Sequence, residues 1–381
     1  MANQHHQVSS PAHEAGTLET TSSGQRGAGT RALLISVWSG LGDVMFATPA
    51  IRHLRRALPD AWIAAAGLQG GPGIELLETN PYLDEAYFCR RRSSTPAGFK
   101  EALAWARSRK FDTGLELSHP AGWFFSLAGI PQRYRTGRRA LWWAIPYRDS
   151  VGKELHSTEH FLRAAELITG PLERDGQGYD LVLTRKDREH ACRLAGELGN
   201  SPFVSMHPGA RCNANKRWNI DRFVELAARL NRDHGLKIVM VGGPDDTEAG
   251  QKVRGRLGNE AMVAAGRASL RETAALVSMG RLYVGNDSGP LQIAASTGVP
   301  TVGIYASSSP ANYGPLSGCS RVVMPDADCS PCLFFPGYTP LYRGLRLRYQ
   351  DSCRAMDSLD VEPVYQACVE LLASGGQAPS C

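Results

Sequence analysis

Apolar residues fall into two successive series of short runs, each run followed by a loop and then by a stretch of helical periodicity. The first run, Ala32-Leu33-Leu34-Ile35-Ser36-Val37, has the continuous apolar character of a strand buried on both faces of a parallel sheet. Its loop is Trp38-Ser39-Gly40-Leu41-Gly42-Asp43. Residues 44–58 read as a helix, because Ala47, Ile51, Leu54 and Leu58 recur at helical spacing and Pro59 stops them. Residues 61–66 read as the next strand, which completes a right-handed βαβ unit. A strand over 113–117, a helix over 122–128 and an amphipathic helix over 158–168, with Phe161, Ala165 and Ile168 on one side, continue the alternation to about residue 185.

The pattern then restarts. Phe203-Val204-Ser205-Met206 reads as a strand, His207-Pro208-Gly209-Ala210 as its loop and 220–230 as a helix with Asp221 near its start. Strands over 237–241 and 281–285 end in Gly242-Gly243-Pro244 and Asn286-Asp287-Ser288-Gly289-Pro290. A helix over 291–297, a strand over 301–305 and a helical pattern over 361–372 follow. Two such series predict an α/β chain of two doubly wound, Rossmann-like domains facing a cleft, with ligand loops at the carboxyl ends of strands. The expected division is a disordered tail over 1–29, a first domain over 30–190, a second over 200–355, and a C-terminal helix and tail over 356–381. The tail holds Gly, Ser, Thr, Gln and His with hardly any large apolar residue, too little to offset the entropy of ordering.

Composition narrows the function classes. The chain has 381 residues, 42 Lys and Arg against 37 Asp and Glu, and a net charge of +5, which argues against nucleic acid as the main partner. No apolar run approaches the ~20 residues of a membrane span. Nine cysteines are too few for a disulfide scaffold and the count is odd, so the expected compartment is the cytoplasm.

Four loops carry candidate chemistry. Asp43, at a strand-to-helix turn, either caps the helix or accepts a proton from a hydroxyl nucleophile. His207 to Arg211 with Lys216-Arg217-Trp218 forms either a phosphate cradle or a solvated basic loop. The turn at 285–290 offers main-chain N–H groups and the Ser288 hydroxyl to a diphosphate, with Asp287 placed for a sugar hydroxyl, or is an ordinary capped turn. Cys329-Ser330-Pro331-Cys332 with Cys353 and Cys368 has the spacing of a structural iron or zinc site, unless Cys368 is simply core. In the first half, Arg133, Arg135, Arg138 and Arg139 beside Leu141-Trp142-Trp143 suit either an anionic lipid or glycolipid surface or a basic loop over buried tryptophans.

Five of these segments together resemble the bacterial lipopolysaccharide heptosyltransferases, glycosyltransferase family 9 with the GT-B architecture. They are GLGDVMFATPAIRHLRRALPDA at 40–61, FDTGLELS at 111–118, HPGARCNANKRWNIDRFVELAARL at 207–230, VMVGGPDD at 239–246 and VGNDSGPLQIAASTGVPTVGIY at 284–305. The resemblance implies an inverting transfer of heptose from a nucleotide-diphosphate donor, usually ADP-heptose, to a lipopolysaccharide core or other envelope saccharide, with no metal required. It makes Asp43 the general base, Lys216 the contact to the donor diphosphate, and Asp287, Ser288 and Gly289 the donor loop. His207, Gly209 and Gly243 are expected on the donor side, and Gly42, Arg135 and Arg138 on the acceptor side. The family's donor loop usually runs Asp-Ser/Thr-Gly-x-x-His, and Gln292 stands at that His position; a glutamine can donate to a phosphate but carries no charge. The cysteines also resemble a branch that transfers heptose to protein hydroxyls and holds a structural iron. Gln292 leaves open a non-catalytic nucleotide-sugar-binding module.

Overall fold

The computed structural model describes residues 31–374, except 38–39, 69–70, 89–94, 118–121, 136–154, 172, 200, 211–213, 329 and 332–352. Eleven strands and twelve helices are present among the described residues. The strands are β1 Ala32–Ser36, β2 Trp62–Gly67, β3 Glu85–Phe88, β4 Thr113–Glu116, β5 Gln132–Arg135, β6 Phe203–His207, β7 Lys237–Met240, β8 Ala261–Val263, β9 Leu282–Asn286, β10 Thr301–Ile304 and β11 Ser320–Val323. The helices are α1 Leu41–Ala57, α2 Pro96–Arg109, α3 Gly122–Ala128, α4 Ser157–Thr169, α5 Arg185–Gly196, α6 Ile220–His234, α7 Thr247–Leu257, α8 Leu270–Ser278, α9 Gly289–Ser296, α10 Pro310–Tyr313, α11 Arg354–Ser358 and α12 Val361–Ala373.

Two parallel sheets result, in the orders β3-β2-β1-β4-β5 and β11-β10-β9-β6-β7-β8. In each, the order reverses beside the first strand of its series, so a crevice opens at the carboxyl ends of β1 and β4 and of β6 and β9. Helix α6 shows how the sequence builds the layers. Phe223, Leu226, Ala227 and Leu230 line one face and are buried against the second sheet, while Asn219 caps the start by accepting the Asp221 N–H.

The two halves share apolar packing. Ile293 and Ala295 of α9 belong to the same buried cluster as Val44, Ala47 and Ile51 of α1. The expected boundary at 190 falls inside α5, whose Ala191, Leu194 and Ala195 pack with Val239 and Leu276 of the second half. The crossover between the halves is bolted to α1. Arg52, only 1% exposed, donates to Asp175 (2.8 Å), to Asp180 and to the Gly178 and Gln177 carbonyls (3.3 Å each), while Thr48 Oγ1 accepts the Asp180 N–H at 2.9 Å. The 1–29 tail lies outside the described residues.

Candidate functional site

The start of α1 and the loops after β6, β9 and β10 meet between the sheets. A Cβ built on Gly289 would stand 2.2 Å from the Leu41 Cβ and 3.2 Å from the Gly42 nitrogen. Glycine at 289 is therefore demanded by the approach of two helix starts across the cleft.

Helix α1 begins three residues before the periodicity predicts, because a first turn needs no apolar face and its N–H groups need no helical partner. Gly40 holds the cap position, so Asp43 is the third helical residue and not a cap. Its carboxyl is half-buried. Burial raises its pKa to about 6, against its own backbone N–H and the Lys216 charge, both of which lower it. A carboxylate poised there suits a general base, and the Lys216 charge reaches it from the other domain.

Lys216 closes a short turn over Ala214–Lys216. Its ammonium lies 2.5 Å from Asp287 Oδ2 and 5.8 Å from the centre of the Tyr313 ring. Ser308, in the loop after β10, donates to the same Asp287 oxygen. Asn286, fully buried, donates to the Pro208 carbonyl (2.7 Å) and accepts the Trp218 N–H (3.1 Å), so the loop that carries Lys216 is tied to the end of β9. His207 ends β6 with Nε2 at 3.3 Å from Asp246 Oδ2 and Nδ1 at 3.4 Å from Ser288 Oγ. Asp246 also accepts the Gly243 N–H at 2.9 Å. Its carboxylate fills the space where a Cβ on Gly209 or Gly242 would sit, at 2.2 and 2.3 Å, and Gly242 has φ +142°. Burial opposes its charge, yet His207 and the Gly243 N–H hold its pKa below the usual carboxylate range.

The structure thus brings Gly42, Asp43, His207, Gly209, Lys216, Gly243, Asp287, Ser288 and Gly289 into one linked array. Two expectations change. Gln292 does not offer its amide to a phosphate: it is 1% exposed, Oε1 accepts from the Tyr179 hydroxyl (3.0 Å) and Nε2 donates to the Tyr313 carbonyl (2.8 Å). The turn into α9 offers fewer donors than its sequence suggests, since Pro290 has no N–H and Ser288 gives its hydroxyl hydrogen to the Asn286 carbonyl at 3.1 Å. The positive charge comes from Lys216 instead. Two of the four cysteines fall among the described residues. Cys368 is enclosed in the apolar core of the second half, where burial pushes its thiol pKa up, and Cys353 is half-buried at the start of α11. Cys329, Cys332, Arg138 and the Arg135 side chain lie outside the described residues, although the Arg135 backbone pairs in β5.

Asp246, Asn286, Ser308 and Tyr313 join the site without having been singled out. Asn286, the last residue of β9, and Asp246, in the glycine-rich turn that follows β7, carried a signal as polar residues in loops at the ends of buried strands; Ser308 and Tyr313 carried none that periodicity reveals.

Residues 118–336 match the sequence profile of glycosyltransferase family 9 (heptosyltransferase). The lipopolysaccharide heptosyltransferase 2 of Escherichia coli K12 is 31% identical over 147 residues, 38% of this chain and only 42% of that protein's length. The lipopolysaccharide core heptosyltransferase OpsX of Haemophilus influenzae is 23% identical over 307 residues, 77% of this chain and 84% of the relative. The solved structure of the E. coli ADP-heptose lps heptosyltransferase II superposes with a TM-score of 0.69 at 23% identity, covering 90% of this chain and 99% of the other.

Proposed function

Because the chain belongs to glycosyltransferase family 9, we propose that it moves a heptose from ADP-heptose to a hydroxyl of a lipopolysaccharide core. The observation that carries this reading is the placement of Asp43 and Lys216 on opposite walls, within electrostatic reach of each other. Asp43 takes the acceptor hydroxyl's proton as that oxygen bonds to the anomeric carbon. The bond from that carbon to the diphosphate oxygen breaks on the far face, and the configuration inverts. Lys216 and the start of α9 stabilise the charge that gathers on the departing diphosphate. Asp287, with Oδ2 held by Lys216 and Ser308, turns its other oxygen to a hydroxyl of the donor sugar. No cofactor enters these steps.

The acceptor side supports contact with an anionic lipid surface. Trp123 and Leu127 of α3 are 57% and 49% exposed, Arg107 donates to the Leu127 carbonyl at 2.9 Å, and Arg133 stands beside Ser126. Among the described residues no helix is long and apolar enough to cross a membrane. Peripheral binding at the cytoplasmic face is the corresponding reading, and sedimentation with anionic vesicles that is insensitive to salt or absent overturns it.

The test of the reaction is a panel of ADP-, UDP- and GDP-sugars offered with core saccharide, products read by mass spectrometry. Transfer from ADP-heptose, lost in Asp43→Asn while ADP still binds, is the expected outcome. Full turnover by Asp43→Asn overturns the assigned base.

A further inference from the structure

One buried connection runs from the start of α1 to the donor loop. Asp43 lies in the first turn of α1, and three residues on Phe46 packs against His156, Tyr179 and Tyr313, with ring centres 5.4, 6.0 and 6.2 Å away. Further along the same helix, Arg52 grips the crossover at Asp175 and Asp180. Tyr179 lies between those two carboxylates in sequence, is 8% exposed, and donates its hydroxyl to Gln292 Oε1 at 3.0 Å. Gln292 is the fourth residue of α9, the helix whose first residue abuts Leu41 and whose preceding turn holds Asp287 and Ser288. Its amide nitrogen then reaches the Tyr313 carbonyl, where the Tyr305 hydroxyl also donates at 2.8 Å, and the Tyr313 ring faces the Lys216 ammonium.

We propose that Tyr179 and Gln292 are positioning residues, whose hydrogen bond across the domain boundary fixes the separation between the Asp43 carboxylate and the Lys216–Asp287 donor site. The role follows from chemistry and burial together. A glutamine at this place supplies an acceptor to one domain and a donor to the other at the same time, without charge, inside an apolar environment where each unmade bond leaves a desolvated polar group. Loss of the bond leaves each domain's own core and the apolar contact between α1 and α9 in place, and loosens their relative placement by removing a directional polar tie. In-line attack at the anomeric carbon needs that placement held to fractions of an ångström, whereas binding of ADP to the second domain alone does not.

The inference rests on the glycosyl-transfer reading, and its test separates the two. Tyr179→Phe, Gln292→Met and the double variant are compared with the full-length wild type for kcat with ADP-heptose and for ADP affinity. Keto-amino-acid spin labels at the exposed Glu101 and Glu248, one in each domain, report the interdomain distance. Each single variant is expected to lower kcat about tenfold with ADP affinity within about twofold and to broaden the distance distribution, and Tyr179→Phe is expected to add little to Gln292→Met, because the glutamine change already removes the bond between them along with its own bond to the Tyr313 carbonyl. A purely local packing role predicts instead losses that multiply and an unchanged distance distribution, and that result overturns the proposal. If the wild type transfers no heptose yet the variants broaden the distribution, the transfer reading fails and the positioning of the domains by this pair stands.

Discussion

The Leu41 side chain stands where a side chain at residue 289 would have to begin, so α1, which carries the proposed base, and α9, which follows the proposed donor loop, are in contact at their first residues. Gly289→Ala forces one of the two helix starts to move, since the conflict is with the root of a side chain and not its flexible end. Overpacking of this kind costs ~1–3 kcal/mol. The variant is expected to fold, with an unchanged far-ultraviolet circular dichroism spectrum, and to lose at least about tenfold in kcat. Wild-type kcat in this variant would show that the contact is absent from the working enzyme.

Asp43 as the proposed base gives the reaction a pH limb. With its pKa raised to about 6, the carboxylate form that accepts a proton accumulates only as pH rises through 6, so kcat/KM should climb through that value and level off above it. An activity that is flat from pH 5 to 8 contradicts the assignment.

The same shift has a stability consequence of definite sign. Between the ordinary value of 3.8 and about 6, the folded chain holds the Asp43 proton and the unfolded chain has released it. The folded state binds more protons, so stability falls as pH rises through that window and stays lower above it. Asp43→Asn removes the cost of ionising a half-buried group. Its melting temperature should exceed the wild type's at pH 8 and approach it at pH 4, as differential scanning calorimetry can establish.

Lys216 and Asp287 are best altered together. Lys216→Met leaves the Asp287 carboxylate, 6% exposed, with Ser308 as its side-chain partner among the described residues, and a buried charge without its counter-ion costs ~3 kcal/mol or more. Adding Asp287→Asn should recover much of that loss in urea unfolding, while ADP affinity, read by calorimetric titration, stays weak because the cation is gone. Equal destabilisation by the single and double changes would place the carboxylate away from the ammonium.

Cys368→Ser places a hydroxyl in an apolar core, and the expected cost is ~1–3 kcal/mol. Iron and zinc per chain, read by plasma mass spectrometry, should equal the wild type's. A metal content that drops with this substitution would restore Cys368 as a ligand.

The parts of the fold that are legible in sequence are those whose burial is nearly complete. The strands near 32, 203 and 301 have no exposed face, so continuous apolar runs mark them. Helix α5 escapes the same reading because Arg185, Lys186, Asp187, Arg188 and Glu189 open it, and only its Ala191, Leu194 and Ala195 are apolar residues buried in the core. Strand β3, partly exposed along its length, lacks a clean alternation as well. At the site, Asp43 and the Asp287 turn are visible because glycine-rich loops follow buried strands. Gln292 is visible only as an oddity; its partner Tyr179 is 113 positions away, and no local pattern encodes that pairing. Ser308 likewise acquires its role from Asp287, brought to it by the neighbouring strand.

Arg52 also limits how the chain can be divided. Its guanidinium is sealed inside α1, yet its acidic partners lie more than 120 positions later, at Asp175 and Asp180. A truncated N-terminal fragment that stops at Thr169, the end of α4, would lose both counter-ions and the two carbonyls that cover this guanidinium, and would expose the face of α1 on which the crossover packs. Split-reporter fusions, separately expressed halves and domain-exchange chimaeras therefore have their natural junction after Asp180, between the crossover and the cap of α5 at Thr184.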